Sequence, residues 1–185
     1  MIQEKIIENT ISFVQKTLQG AEGGHDWFHI ERVYKNALQI AQGEEVDSFI
    51  VSLGALLHDI ADAKFYDGDE SVGPRKARAF LEGEQVEEDV IVHIENIIQY
   101  ISFKSSLESG ARFSSPELKV IQDADRLDAI GAIGIARCFN YGGFKNRALY
   151  DPAIEPNLNM SKEEYKKSTA PTINQLITKR LLITK

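Results

Sequence analysis

Apolar residues recur at steps of three and four along most of the chain, the spacing that lines one face of a helix. Ile7, Ile11, Val14 and Leu18 make such a stripe, widened by Ile2, Ile6 and Phe13, with Gly20 as its stop signal. Gly23-Gly24 breaks the chain before a second stripe of Ile30, Val33, Ala37, Ile40 and Ala41, which ends at Gly43. Asp47 and Ser48 are caps for a central helix running to about residue 62, in which Leu53, Leu56, Leu57 and Ile60 predict one buried face. Tyr66 to Gly73 is acidic and reads as a loop, and Pro74 opens a short helix through Leu81. Val86, Val90, Ile91, Ile94, Ile97, Ile98 and Ile101 mark another helix, followed by a serine-rich, charged connection from Lys104 to Ser115. Ser115 as cap and Pro116 at the first position start a helix expected to run to about Phe139. Asn140 to Asn159 then reads as a long connection, and Ser161 with Glu164 forms a capping box for a last helix through Leu182. No alternating strand pattern, internal repeat or linker composition stands out. The prediction is a single all-α domain, residues 1–185, a bundle of about six or seven helices.

Composition narrows the classes. The chain of 185 residues is 43% hydrophobic and 26% charged, the balance of an ordinary globular protein. Its net charge of -7 argues against nucleic acid or an anionic membrane as partner, so a polyanionic substrate would need a local positive site. Cys138 is the only cysteine, which excludes an intrachain disulfide and a multi-cysteine zinc site and fits a cytoplasmic setting. The N-terminus has acids among its apolar residues and reads as no secretory signal, and no stretch approaches a spanning helix.

Chemistry concentrates in two places. The central helix carries the adjacent pair His58-Asp59, and a polar pair beside a buried face needs a partner. Alone, such a pair reads as a core histidine bonded to an acid. Elsewhere, His29 opens a helix with Arg32 on its face, and Asp125 and Asp128 share a face in Asp123-Ala124-Asp125-Arg126-Leu127-Asp128. Two imidazoles and two carboxylates from three helices would make a mixed nitrogen and oxygen site for one divalent cation. Manganese is expected first, with nickel, cobalt, iron, magnesium or zinc as alternatives.

The ordered set His29, His58-Asp59 and Asp125, within His29-Ile30-Glu31-Arg32-Val33 and Asp123-Ala124-Asp125-Arg126-Leu127-Asp128-Ala129-Ile130-Gly131, resembles the HD-domain superfamily of metal-dependent phosphohydrolases. The resemblance covers about residues 20–155 and implies an HD-type helical bundle with His29, His58, Asp59 and Asp125 as metal ligands. His25-Asp26-Trp27-Phe28-His29 and the stretch Tyr141 to Pro152 are similar to a bacterial subgroup of small stand-alone HD hydrolases, some of them nucleotide pyrophosphohydrolases. The tail from Thr172 departs from that subgroup's ending.

The resemblance also implies that Asp62 is the catalytic acid that places water or moves its proton; otherwise it reads as a solvated helix-end acid. His25 and Asp26 would line the substrate pocket, and His93 would either donate to phosphate or serve as a supporting histidine. Arg32, Lys64, Lys145 and Arg147 are candidate phosphate clamps, each of which taken alone reads first as a surface cation. Trp27 and Phe28 read as core before they read as a platform for a base. Arg126 and Asp128 would buttress Asp125.

The expected activity is conversion of a nucleoside or deoxynucleoside triphosphate to monophosphate and pyrophosphate. A nucleoside monophosphate phosphatase, a cyclic-nucleotide phosphodiesterase, and a non-catalytic metal- or nucleotide-binding module are the alternatives. Partners are expected to be small phosphorylated nucleotides, with the protein a monomer or homodimer.

Overall fold

A computed structural model of the chain describes residues 2–21, 26–61, 66, 69–101, 113–157, 164 and 168–183. Its elements are α1 (Ile2–Thr17), α2 (Trp27–Ala41), α3 (Ser48–Leu57), α4 (Val72–Gly83), α5 (Glu88–Tyr100), α6 (Pro116–Asp128), α7 (Gly131–Phe144) and α8 (Thr172–Ile183), with no strand among the described residues. The all-α bundle expected from periodicity is therefore the architecture observed.

The centre of the bundle is α3. Asp47 caps it by accepting from the backbone N–H groups of Phe49 and Ile50, and every residue from Val51 to Leu57 is buried. The pattern predicted one buried face, but α1, α2, α5 and α6 all pack against this helix. A helix apolar all round can only be a core helix. Around it, α2 contributes Ile30, Val33 and Ala37, α5 contributes Ile91, Ile94 and Ile97, and α6 contributes Leu118 and Ile121. Helices α4 and α5 lie against each other, clamped at the surface by Arg78, which donates to Glu95 at 2.6 Å and to Glu88 at 3.0 Å.

Three boundaries differ from the sequence reading, each for a local reason. Helix α3 stops at Leu57, short of residue 62, because His58 turns its ring back onto the Ala55 carbonyl and the chain enters a turn. The helix expected from Ser115 to Phe139 is two: α6 ends at Asp128 and α7 starts at Gly131, whose φ of 81° lies in the left-handed region open to glycine. Helix α7 consequently extends to Phe144, into what was expected to be loop. The last expected helix is interrupted too, since residues 168–171 are not helical and α8 begins only after Pro171, which disfavours helix at the residue before it. Ser161, the first half of the expected capping box, lies outside the described residues.

Candidate metal centre

Packing of α2, α3 and α6 brings the N-terminus of α2 beside the C-termini of α3 and α6. Asp26 caps α2, its Oδ1 accepting from the His29 N–H at 3.0 Å, which sets His29 in the first turn with its side chain 2% exposed. His58 is the C-cap of α3 and is likewise buried. Asp125 comes from the last turn of α6.

Hydrogen bonds fix which ring nitrogens face the site. His58 Nδ1 lies 2.9 Å from the Ala55 carbonyl oxygen, and a carbonyl only accepts, so Nδ1 carries the proton and Nε2 presents a lone pair. His29 Nδ1 lies 2.8 Å from Asp128 Oδ2 and donates for the same reason, which turns its Nε2 toward Asp125 Oδ1 at 3.5 Å and Asp59 Oδ2 at 4.0 Å. Among the described residues, His58 Nε2 is the one buried side-chain nitrogen or oxygen without a hydrogen-bond partner. Such an orphan costs free energy that a cation would return. One donor atom each from His29, His58 and Asp125 lies within 4.8 Å of the others. Two imidazoles and a carboxylate are a borderline donor set, so the residues fit a divalent metal. Asp59 approaches the same His29 nitrogen without belonging to that mutually close trio.

Behind His29 stands Asp128, buried with its side chain 2% exposed. Besides His29, it accepts from Arg32 through Nε at 2.6 Å and Nη2 at 3.1 Å, and from Arg137 Nη1 at 2.6 Å. Burial alone would raise its pKa, but the bonds from His29 and Arg32 and the charge of Arg137 hold the carboxyl well below the usual range. His29 is shifted down as well, chiefly by burial, with the bond to Asp128 opposing and the charges of His58 and Arg137 adding to the effect. A neutral imidazole is the form a metal accepts.

His25, Asp62 and Lys64 lie outside the described residues. Asp26 serves as the helix cap, and Arg32 spends two nitrogens on Asp128. His93 pairs with Ser115 Oγ at 2.9 Å, at the start of α6. That is ten residues, about 15 Å of helix, from Asp125, so the structure does not bring it to the ligands. Lys145 lies over the rings of Tyr141 and Phe144, and Arg147 donates to the Ser168 carbonyl at 2.9 Å. Both stand at the far end of α7 from Gly131. Trp27 packs against the core, but Phe28, also expected there, is 63% exposed. The residue that sequence reasoning missed is Arg137. Its signal was indirect: a buried acid at 128 needs cations, but which ones depends on the break at Gly131.

The HD domain family model matches residues 27–130. The uncharacterized protein YpgQ of Bacillus subtilis is 40% identical over 152 residues, 81% of this chain and 73% of its own. The crystal structure of YpgQ in complex with ADP superposes with a TM-score of 0.62 at 34% identity, covering 90% of this chain and 79% of that one. An HD-superfamily hydrolase from Bacillus thuringiensis gives 0.69 at 40% identity, covering 99% and 82%, and a Lactobacillus plantarum protein gives 0.84 at 32%, covering 99% and 84%. With more than half of its residues in the match, and with histidines and an aspartate of its motifs meeting at one point, this chain belongs to the HD-domain family of metal-dependent phosphohydrolases.

Proposed function

We propose that the protein hydrolyses nucleoside or deoxynucleoside triphosphates to the monophosphate and pyrophosphate, with one divalent cation held by His29, His58, Asp59 and Asp125. The observation that carries the reading is the buried, unpartnered Nε2 of His58, facing Asp125 Oδ1 at 4.0 Å beside His29. A bound cation supplies Lewis acidity toward phosphoryl oxygens and lowers the pKa of water. The chain's own contribution is orientation. Ala55 and Asp128 each hold an imidazole by Nδ1 so that Nε2 is presented, and burial keeps His29 neutral.

Asp62, three residues beyond Asp59, is proposed to position the attacking water and take its proton. His25, Asp26 and Lys64 are proposed to approach the substrate, while Arg32 acts mainly through Asp128. The nucleotide class rests on the ADP bound by the similar YpgQ. Exposed Phe28, next to His29 in the chain, offers a ring on which a base can stack.

The test is a product assay over nucleoside tri-, di- and monophosphates and cyclic nucleotides with manganese, magnesium, nickel and cobalt, resolving phosphate from pyrophosphate. Pyrophosphate from triphosphates is expected, and release of phosphate alone would replace the reading with a phosphatase. Asp62→Ala is expected to bind metal as the parent does and to lose turnover at least a hundredfold, within the range of general acid–base effects (~10²–10⁴).

A further inference from the structure

The family match ends at residue 130, and Arg137 lies beyond it, in the middle of α7. Its Nη1 is 2.6 Å from Asp128 Oδ2, the same oxygen that faces His29 Nδ1 at 2.8 Å. Arg32 already engages both oxygens of that carboxylate, Nε on Oδ1 and Nη2 on Oδ2, so charge neutralisation does not call for a second guanidinium. Bringing one in, with its side chain only 19% exposed, carries a desolvation cost. What the second guanidinium adds is a fixed position for Oδ2, approached from a different element.

Helix α7 contributes no buried hydrophobic side chain to the core. Helix α7 buries only Gly134 and Gly142 among its residues, and Gly142 lies against Thr172 of α8. The segment that follows α7 is tied to α8 and to the residues leading into it: Thr172 donates through its backbone N–H to the Ala148 carbonyl at 2.8 Å, and Arg147 donates to the Ser168 carbonyl. The bond from Arg137 to Asp128 is a polar link from this C-terminal pair of helices to the histidine.

We propose that Arg137 is a positioning residue of the metal centre: through the shared oxygen of Asp128 it fixes the ring of His29, so that α7 and α8, and not the HD core alone, set the first imidazole. This rests on the metal reading given above. Partners of ligating histidines change metal affinity by about ten- to a hundredfold when removed, and Arg137 stands one bond further out, so the lower end applies.

The test is calorimetric titration of Mn2+ into the metal-stripped full chain, for the parent, Arg137→Ala, Arg137→Lys and His58→Ala, each shown by circular dichroism to be folded under the titration conditions. Arg137→Ala is expected to weaken Mn2+ binding about tenfold, with Arg137→Lys recovering most of the loss. Imidazole ¹⁵N shifts of the metal-free protein supply a second readout. His29 is expected to hold the Nδ1–H tautomer in the parent and to average between tautomers in Arg137→Ala. Unchanged affinity and unchanged His29 shifts in Arg137→Ala, even with a lower Tm, would leave Arg137 a structural ion pair and overturn the proposal. Should the alanine variant not fold, Arg137→Gln carries the same comparison with the same outcomes. If the parent binds no Mn2+, or His58→Ala binds it equally well, the metal reading itself falls and takes this proposal with it, a pattern distinct from loss of the Arg137 effect alone.

Discussion

A single carboxylate, Asp128, joins three helices, since it accepts from His29 and Arg32 of α2 and from Arg137 of α7 while belonging to α6. Asp128→Asn removes the charge and leaves two guanidiniums facing a neutral amide. Both can partly regain water, so the expected loss is near the low end for a broken buried pair, about 3 kcal/mol by urea unfolding. The carboxyl's pKa is depressed in the folded state, so its stabilisation is fully present above the unfolded value of about 3.9 and is lost as pH falls through the lower folded value. The parent is therefore expected to lose stability more steeply than Asp128→Asn when urea midpoints are followed downward from mildly acidic pH, and parallel curves would contradict this. Sequence spacing placed Asp128 on the face of Asp125 and suggested a buttress. That it buttresses His29, across α2, required the packing of α2 on α6.

Helix α3 shows how an element delivers chemistry. Its apolar residues are legible as core from their order alone, and burial on every side makes truncation costly. Leu57→Ala, at a site with no exposure and one residue before His58, is expected to cost about 2–5 kcal/mol, read from the urea midpoint. The turn after α6 makes the complementary case. Gly131 sits at φ 81°, where a side chain is strained, so Gly131→Ala is expected to destabilise by about 1–2 kcal/mol despite alanine's better helix propensity. A gain in stability would mean that the chain runs through 129–131 as one helix, as periodicity had suggested. Periodicity misses this break because apolar spacing continues through Leu127, Ile130 and Ile133, whereas the backbone angle of one glycine decides the direction.

At the scale of the whole molecule, a metal that binds only the folded state must stabilise it. Adding Mn2+ at about a hundred times its Kd is expected to contribute about 2.7 kcal/mol, seen as a rise in Tm that a chelator reverses and His58→Ala lacks. Equal shifts in parent and variant would place the ion elsewhere. The helical class and one buried face of α3 followed from order and spacing, because helical periodicity is local. The family followed from the resemblance carried by His29, His58-Asp59 and Asp125, an ordered motif readable at any separation. That α3 is buried on every side came from the packing. The tertiary structure decided which nitrogen of each histidine faces the centre, that His93 stands at the other end of α6, and that Arg137 reaches Asp128. Those facts depend on where carbonyls, carboxylates and helix ends meet in three dimensions, and no local pattern encodes a contact between elements whose relative direction is set by one turn.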